Sequence, residues 1–487
     1  MVKNTPNAGI CSSSRLLGLM IAAAAMLPVT AFANEWQVSG DIYTGVTATD
    51  NINLQQTDLE EEFAWAVSPS LRATRDGKYV DVQFDYRLQA LFFARDDDRN
   101  QAFNFLQAGL QSEVIPDLLH FDADASINQT VVNPLVASGS SVINGGGNVA
   151  ETLTVNASPY ILKRIGRSTV LRAGAAAGLI EFDSSQLVDS NQLSYFASLA
   201  KQDRAGLFNW SLGYNSRTVD YDLGQEIELA RLNAEIGFRL GPRTEFVVSG
   251  GEDMNDFGLL PGSGIAEGSF WSVGFRGGLG NNFSYDLRVG EQFFGDSYSL
   301  EFTRTSRALE TALVYSEQAT TVGAQQLDVN SGLAAFGLAG RLPDGLDITG
   351  LDLPRRDPEL FIRKRLDLNN TLTSGKSVVQ VGIFYEDRTF IRTFLAGAQE
   401  DLLGGRVSWN WEFDNVTTIS SSANYQRLNA RDEISRPEDL RLSVQLRRNI
   451  FNDAYFQLVV WRNSRTAPQT GLEFEENALE IGFGKRF

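Results

Sequence analysis

From Trp36 onward, apolar and polar residues alternate one by one over long stretches. The clearest run holds Val80, Val82, Phe84, Tyr86, Leu88, Ala90 and Phe92, alternating with Asp81, Gln83, Asp85, Arg87 and Gln89. A strand places successive side chains on opposite faces, so this run has one greasy and one wet face. Its length is roughly 40 Å at about 3.3 Å per residue, whereas an ordinary soluble strand holds about five or six residues. The pattern recurs to the last residue and predicts about 22 strands, or roughly 18 to 20 if the weakest segments merge. The final stretch follows it too: Leu479, Ile481, Phe483 and Phe487 share a face, with Lys485 the one charged residue among them.

The connections alternate in length. Long ones are expected at 49–61, 94–101, 131–150, 183–190, 253–267, 318–358, 389–401, 429–436 and 465–475. Short ones are expected at Asp76-Gly77, Pro116-Asp117, Ile165-Gly166-Arg167, Ala205-Gly206, Gly241-Pro242-Arg243, Gly280-Asn281-Asn282 and Ser374-Gly375-Lys376. Asp-Gly is the signature of a tight hairpin. Long strands, an even count, and short turns at one end with long loops at the other describe a transmembrane β-barrel. The weak points are a short connection at 295–297, where a long one is due, and the division at Ser306. A propeller would show a sequence repeat of about 40 to 50 residues, and the chain has none. Pro-rich or Ser-rich linkers that would separate tandem sandwiches are also missing. The expectation is all-β: an antiparallel up-and-down barrel.

Composition agrees. Hydrophobic residues make up 43% of the chain, with 31 Phe, 13 Tyr, 7 Trp and 44 Gly, yet mean hydropathy is −0.17. That is too low for a bundle of membrane helices and suits walls that are greasy on one face only. Residues 1–33 read as a secretory signal: Lys3 and Arg15 are basic, Leu16 to Leu27 is apolar, and Ala31-Phe32-Ala33 is a small-x-small cleavage site. The single cysteine, Cys11, precedes the apolar core and so is not a lipoprotein cysteine. Removing two basic residues takes the net charge from −18 to −20, which argues against nucleic acid as a partner. The expected arrangement is a signal peptide over 1–33 and an outer-membrane barrel over 34–487, with no plug before the first strand. Its partners would be outer-membrane lipid and lipopolysaccharide. The last strand, through Leu479, Ile481, Phe483 and Phe487, resembles the C-terminal signal read by the bacterial barrel-assembly machinery, except that Lys485 stands where an apolar residue is usual, and the resemblance implies that machinery as a partner.

Apolar parity also predicts the inner face. Opposite Leu232, Ala234, Ile236 and Phe238 stand Arg231, Glu235 and Arg239. Opposite Val407, Trp409, Trp411 and Phe413 stand Arg406 and Glu412. Opposite Leu440, Leu442, Val444 and Leu446 stand Arg441 and Arg447. Arg363, Arg365 and Asp367 complete the lumen candidates. Such residues either brace the wall as ion pairs or line a hydrophilic path whose guanidiniums grip carboxylates and hydroxyls. The segment 318–358 carries Leu327, Leu333, Phe336, Leu338 and Leu342 and is expected to fold inward as a constriction, or else to cap the mouth or dock a partner. His120 shares a face with Asp122 and Asp124, but no nucleophile accompanies them. The acidic runs 60–62 and 96–98 are expected to be solvated, with binding of divalent cations between lipopolysaccharide molecules as the alternative. Catalytic, cofactor and metal residues are not expected.

Several short stretches resemble a family of outer-membrane barrels associated with the PEP-CTERM/exosortase system. They are Thr49-Asp50-Asn51-Ile52-Asn53-Leu54, then Gly382, Phe384-Tyr385-Glu386 and Arg388, then Asp401, Gly404 and Ser408-Trp409-Asn410-Trp411. The resemblance implies a non-enzymatic barrel that serves exopolysaccharide export, with polysaccharide as a partner. It supplies no binding residues to carry over. The alternatives are a general diffusion porin for small polar solutes and a structural or adhesive barrel with a closed lumen.

Overall fold

The structure is a computed structural model. It describes residues 36–133, 135–139, 141–144, 148–201, 206–222, 224–256, 267–321, 324–325, 360–391, 399–429, 436–451, 453–468 and 472–487. The expected signal peptide, and any segment before the first strand, lie outside these residues.

The strands, in chain order, are β1 (Trp36–Thr49), β2 (Glu62–Arg75), β3 (Val80–Phe93), β4 (Gln101–Ile115), β5 (Leu119–Val131), β6 (Val149–Ile165), β7 (Thr169–Phe182), β8 (Ser190–Lys201), β9 (Phe208–Tyr221), β10 (Gln225–Gly241) and β11 (Thr244–Met254). They continue as β12 (Glu267–Gly278), β13 (Phe283–Gln292), β14 (Gly295–Thr305), β15 (Leu309–Thr321), β16 (Leu360–Ser374), β17 (Ser377–Phe390), β18 (Gln399–Glu412), β19 (Thr417–Asn429), β20 (Glu438–Asn449), β21 (Ala454–Thr466) and β22 (Phe474–Arg486). All 22 lie in one sheet. Each pairs antiparallel with its sequence neighbours, and β22 pairs back onto β1, Val46 standing opposite Ile481 on one side and Trp65 on the other. Closure leaves no strand edge unpaired, the condition for a sheet in a bilayer.

The two irregular places resolve as real turns. Only Phe293 and Phe294 separate β13 from β14, and Ser306 turns the chain between β14 and β15 by bonding its hydroxyl with Leu309. The strand number is therefore the higher of those expected. Asp76-Gly77 is not a two-residue hairpin. The turn runs from Asp76 to Tyr79, and the Gly77 N–H donates to the Asp81 carboxylate at 2.9 Å. Gly375, with φ of +58°, takes the left-handed conformation that the two-residue turn between β16 and β17 demands.

The apolar parity faces outward. Ile42, Val46, Ile236, Ile383, Val407, Val444 and Ile481 are all exposed on the outer surface. Near the loop end Trp65, Phe92, Trp271, Tyr298 and Tyr385 form one aromatic belt. Near the turn end Trp36, Phe208, Trp409, Phe413 and Phe487 form the other. An apolar band between two aromatic belts, on a closed barrel, defines a transmembrane barrel of the outer-membrane type.

The β1–β22 seam is keyed by glycines. Gly40 and Phe487 exchange backbone hydrogen bonds of 2.8 and 3.0 Å, and the Phe487 ring lies where a Gly40 Cβ would stand. On the inner face, Gly482 and Gly484 leave room for the rings of Tyr43 and Tyr455, which stack at 6.3 Å. Tyr43 donates to Glu480 at 2.5 Å and Tyr455 to Asp41 at 2.9 Å. Polar side chains thus bridge the seam from within while apolar ones cover it from without.

Candidate functional site

Among the described residues, three groups of charge and one inward-folded loop stand out on the inner wall. The first group spans β10 to β13. Arg231 donates to Asp253 at 2.6 Å and to Gln292 at 2.6 Å. Glu235 accepts from Arg288 at 2.6 Å and also from Arg276, while Asp286 holds Arg288 from its other side at 2.7 Å. Arg239 pairs with Glu245 at 3.9 Å. The second group spans β16 and β17. Glu386 is fully buried and accepts from Arg363 and Arg365, each at 2.9 Å, and from Arg388. Arg365 also grips Asp367 at 2.7 Å and lies 4.3 Å above the Phe384 ring. Arg388 covers Phe361, which packs on Phe390. On the neighbouring strand, Arg406 donates to Asn424 at 2.9 Å.

The third group lies on β20 to β22 and meets the loop that joins β5 to β6. Val142 and Ile143, in a single 3-10 turn of that loop, are fully buried. They pack against Ala64 and Ala66 of β2, Leu91 and Phe93 of β3, and Phe103 and Phe105 of β4. Those strand residues all have inward parity, since Trp65 and Phe92 beside them face out. Each buried aliphatic side chain contributes about 1.5–3 kcal/mol. The loop's polar atoms are held from the other side. Asn144 donates to Glu476 at 2.8 Å, Arg441 to the Ser138 carbonyl at 3.3 Å, and Arg465 to the Val136 carbonyl at 2.6 Å. Arg465 is itself fixed by both oxygens of Asp439, at 2.7 and 2.8 Å. Glu476 also accepts from Thr49 at 2.9 Å and Asn463 at 2.6 Å. The described loop residues thus lie across the inner face of an arc running from β20, through the seam, to β4. A second apolar cluster at the loop end joins Val219 and Tyr221 of β9 and Ile227 of β10 to Leu360 of β16. Strands on separate parts of the wall therefore meet above the short β13–β14 link.

The lumen candidates fall into these places unevenly. Arg231, Glu235 and Arg239 belong to the first group, and Arg363, Arg365 and Asp367 to the second. Arg441 holds the loop, and Arg447 lies 3.8 Å above the Tyr455 ring beside the seam. Glu412, at the turn end of β18, joins none of them. Sequence reading missed their partners Asp253, Arg276, Asp286, Arg288, Arg388, Asp439, Arg465 and Glu476. Extending the parity rule to every strand would have put each on the inner face. It also missed the β5–β6 loop as the inward one. The segment expected to fold inward, 318–358, lies outside the described residues from 326 to 358.

His120 stacks on Tyr160 at 5.1 Å, with the Arg172 guanidinium on that ring at 4.7 Å. Of the acidic runs, Glu62 is not solvated: it is buried at the start of β2 and accepts the N–H groups of Phe63 at 2.8 Å and Arg95 at 3.2 Å. Asp96 pairs with Arg99 at 2.9 Å.

No protein-family profile and no curated protein matches the chain. Among solved structures it is similar to the siderophore receptor PirA from Acinetobacter baumannii, at 8% identity over 94% of this chain and 81% of that one, TM-score 0.48. The siderophore receptor PirA from Pseudomonas aeruginosa shares 11% identity over 93% of this chain and 80% of that one, TM-score 0.39. The outer membrane protein opdK from Pseudomonas aeruginosa shares 8% over 93% of this chain and 99% of that one, TM-score 0.33. The barrel assignment rests on the closed ladder and its outer face, not on these likenesses.

Proposed function

We propose that the protein is a non-enzymatic, passive outer-membrane channel for small polar solutes, narrowed from one side by the β5–β6 loop. The observation that carries this reading is the loop itself, pinned by Val142 and Ile143 on one arc of the wall and by Arg441, Arg465 and Glu476 on the next. A loop held inside a wide barrel reduces its bore without sealing it, and the remaining wall is lined with oriented guanidiniums and carboxylates. The polysaccharide-export reading has the sequence resemblance behind it. A lumen narrowed in this way suits single small solutes better than a polymer. We also assign Leu479, Ile481, Phe483 and Phe487 to the assembly machinery, and the outer belts to lipid and lipopolysaccharide.

Single-channel recording in planar bilayers tests the proposal. The wild-type barrel should give discrete conductance steps, and a variant lacking residues 135–147 should give steps about twofold larger or more, as a wider lumen dictates. Absence of conductance in both proteins overturns the channel reading. Equal conductance in both overturns the loop's role.

A further inference from the structure

Away from the loop, the inner wall of β16 to β19 is not smooth. A recess of about 220 Å³ opens there, lined by Arg365, Asp367, Asn369, Gly382, Arg406, Asn424 and Gln426 among others. Gly382 forms its floor, and a side chain at that position would begin to fill it, its Cβ standing 3.0 Å from the Asn369 amide oxygen. That volume is below the roughly 300–1,000 Å³ of pockets for drug-sized ligands and suits a ligand of about one sugar ring.

Two features of the lining point to a ligand. Gln426 is 8% exposed, and its side-chain oxygen is buried with no hydrogen-bond partner. A buried acceptor left unpaired costs about 1–3 kcal/mol, which a hydroxyl in the recess would recover. Arg406 spends its Nε on the neutral Asn424, and no carboxylate lies within 4 Å of it among the described residues. Arg365, by contrast, is neutralised by Asp367 and Glu386. The recess therefore offers one uncompensated guanidinium, amides on two strands, a carboxylate oxygen on Asp367 and an unfilled acceptor. A guanidinium suits a carboxylate, and the amides and acceptors suit hydroxyls.

We propose that this recess is a binding subsite for a hydroxylated monocarboxylate the size of one sugar acid. The carboxylate sits on Arg406 and a hydroxyl donates to Gln426. The proposal rests on the channel reading for its purpose, but binding is measurable without transport.

Isothermal titration of the detergent-solubilised full-length barrel with glucuronate, glucose and acetate separates the contributions. Glucuronate should bind at least tenfold more tightly than either glucose, which lacks the carboxylate, or acetate, which lacks the hydroxyls. Arg406→Gln and Gln426→Leu, each verified as a folded barrel by heat-modifiable migration, should each weaken glucuronate binding at least tenfold. A tetramer of uronate units binding no more tightly than glucuronate assigns the subsite to free sugar acids, and tenfold tighter binding assigns it to a unit of an acidic chain. Equal affinity for glucuronate and glucose, or unchanged glucuronate affinity in both variants, overturns the proposal. Glucuronate binding in a barrel that carries no current would support the subsite while removing the channel reading.

Discussion

At the scale of single residues, Glu386 is the most consequential side chain on the inner wall. One buried carboxylate answers three guanidiniums, and Arg388 among them is almost fully buried. Breaking a buried ion pair from one side costs about 3–5 kcal/mol, because the remaining charge stays desolvated. Glu386→Gln keeps the shape and removes the charge. It should lower the urea midpoint of unfolding in lipid vesicles by an amount equivalent to about 3 kcal/mol or more. An unchanged midpoint would mean that Asp367 and the other carboxylates nearby suffice for the three arginines. This group was only half legible in the sequence. Parity placed Arg363, Arg365 and Asp367 on one face, because alternation is a local property. Their counter-ion comes from the next strand, where register sets Arg365 opposite Glu386. No local pattern encodes that pairing.

At the scale of elements, strands were legible and the behaviour of loops was not. A strand that crosses a bilayer must keep its alternation for its whole length, so even the disputed division at Ser306 left a readable trace. Within the described residues of the β5–β6 loop, the buried apolar anchor is the short pair Val142 and Ile143. What makes them an anchor is distant: the small inward side chains of Ala64 and Ala66, and the inward apolar side chains of Leu91 and Phe93 on β3 and Phe103 and Phe105 on β4. β22 shows the other side of the rule. Its outward Leu479, Ile481, Phe483 and Phe487 were read from alternation alone, whereas Gly40 as the seat of the Phe487 ring emerges only from the closed seam. Phe487→Ser removes that ring from the lipid face and uncovers the backbone at the end of the last ladder. It should reduce folded barrel in the outer membrane several-fold, read as the heat-modifiable band in membrane fractions. Wild-type levels would show that the ring contributes neither to seam closure nor to recognition during assembly.

At the scale of the whole molecule, the described residues of the β5–β6 loop cover one arc of the inner wall and leave the rest of it uncovered by that loop. The covered side is the arc from β20 through the seam to β4. The arc that this loop leaves uncovered carries the ion pairs of β10 to β13 and the recess of β16 to β19. On the proposed channel reading, a solute would meet guanidiniums and amides on one side and the back of the loop on the other. Thiol accessibility can map this division, because the only cysteine in the sequence is Cys11 and a Cys11→Ser background is free of thiols. Ala66→Cys places a thiol beneath Val142 and Ile143, where the native residue is 3% exposed. Ser249→Cys places one on the inner face of β11, where Ser249 is half-buried and bonded only to Ser272 at 2.6 Å. Val273→Cys places one on the outer face, in lipid. A charged, membrane-impermeant thiol reagent should label the Ser249 variant rapidly, the Ala66 variant at least tenfold more slowly, and the Val273 variant hardly at all. Deleting residues 135–147 should bring the Ala66 variant up to the rate of the Ser249 variant and leave the Val273 variant unchanged. Rapid labelling at Ala66 with the loop intact would mean that the loop leaves the wall in the membrane and does not narrow the bore.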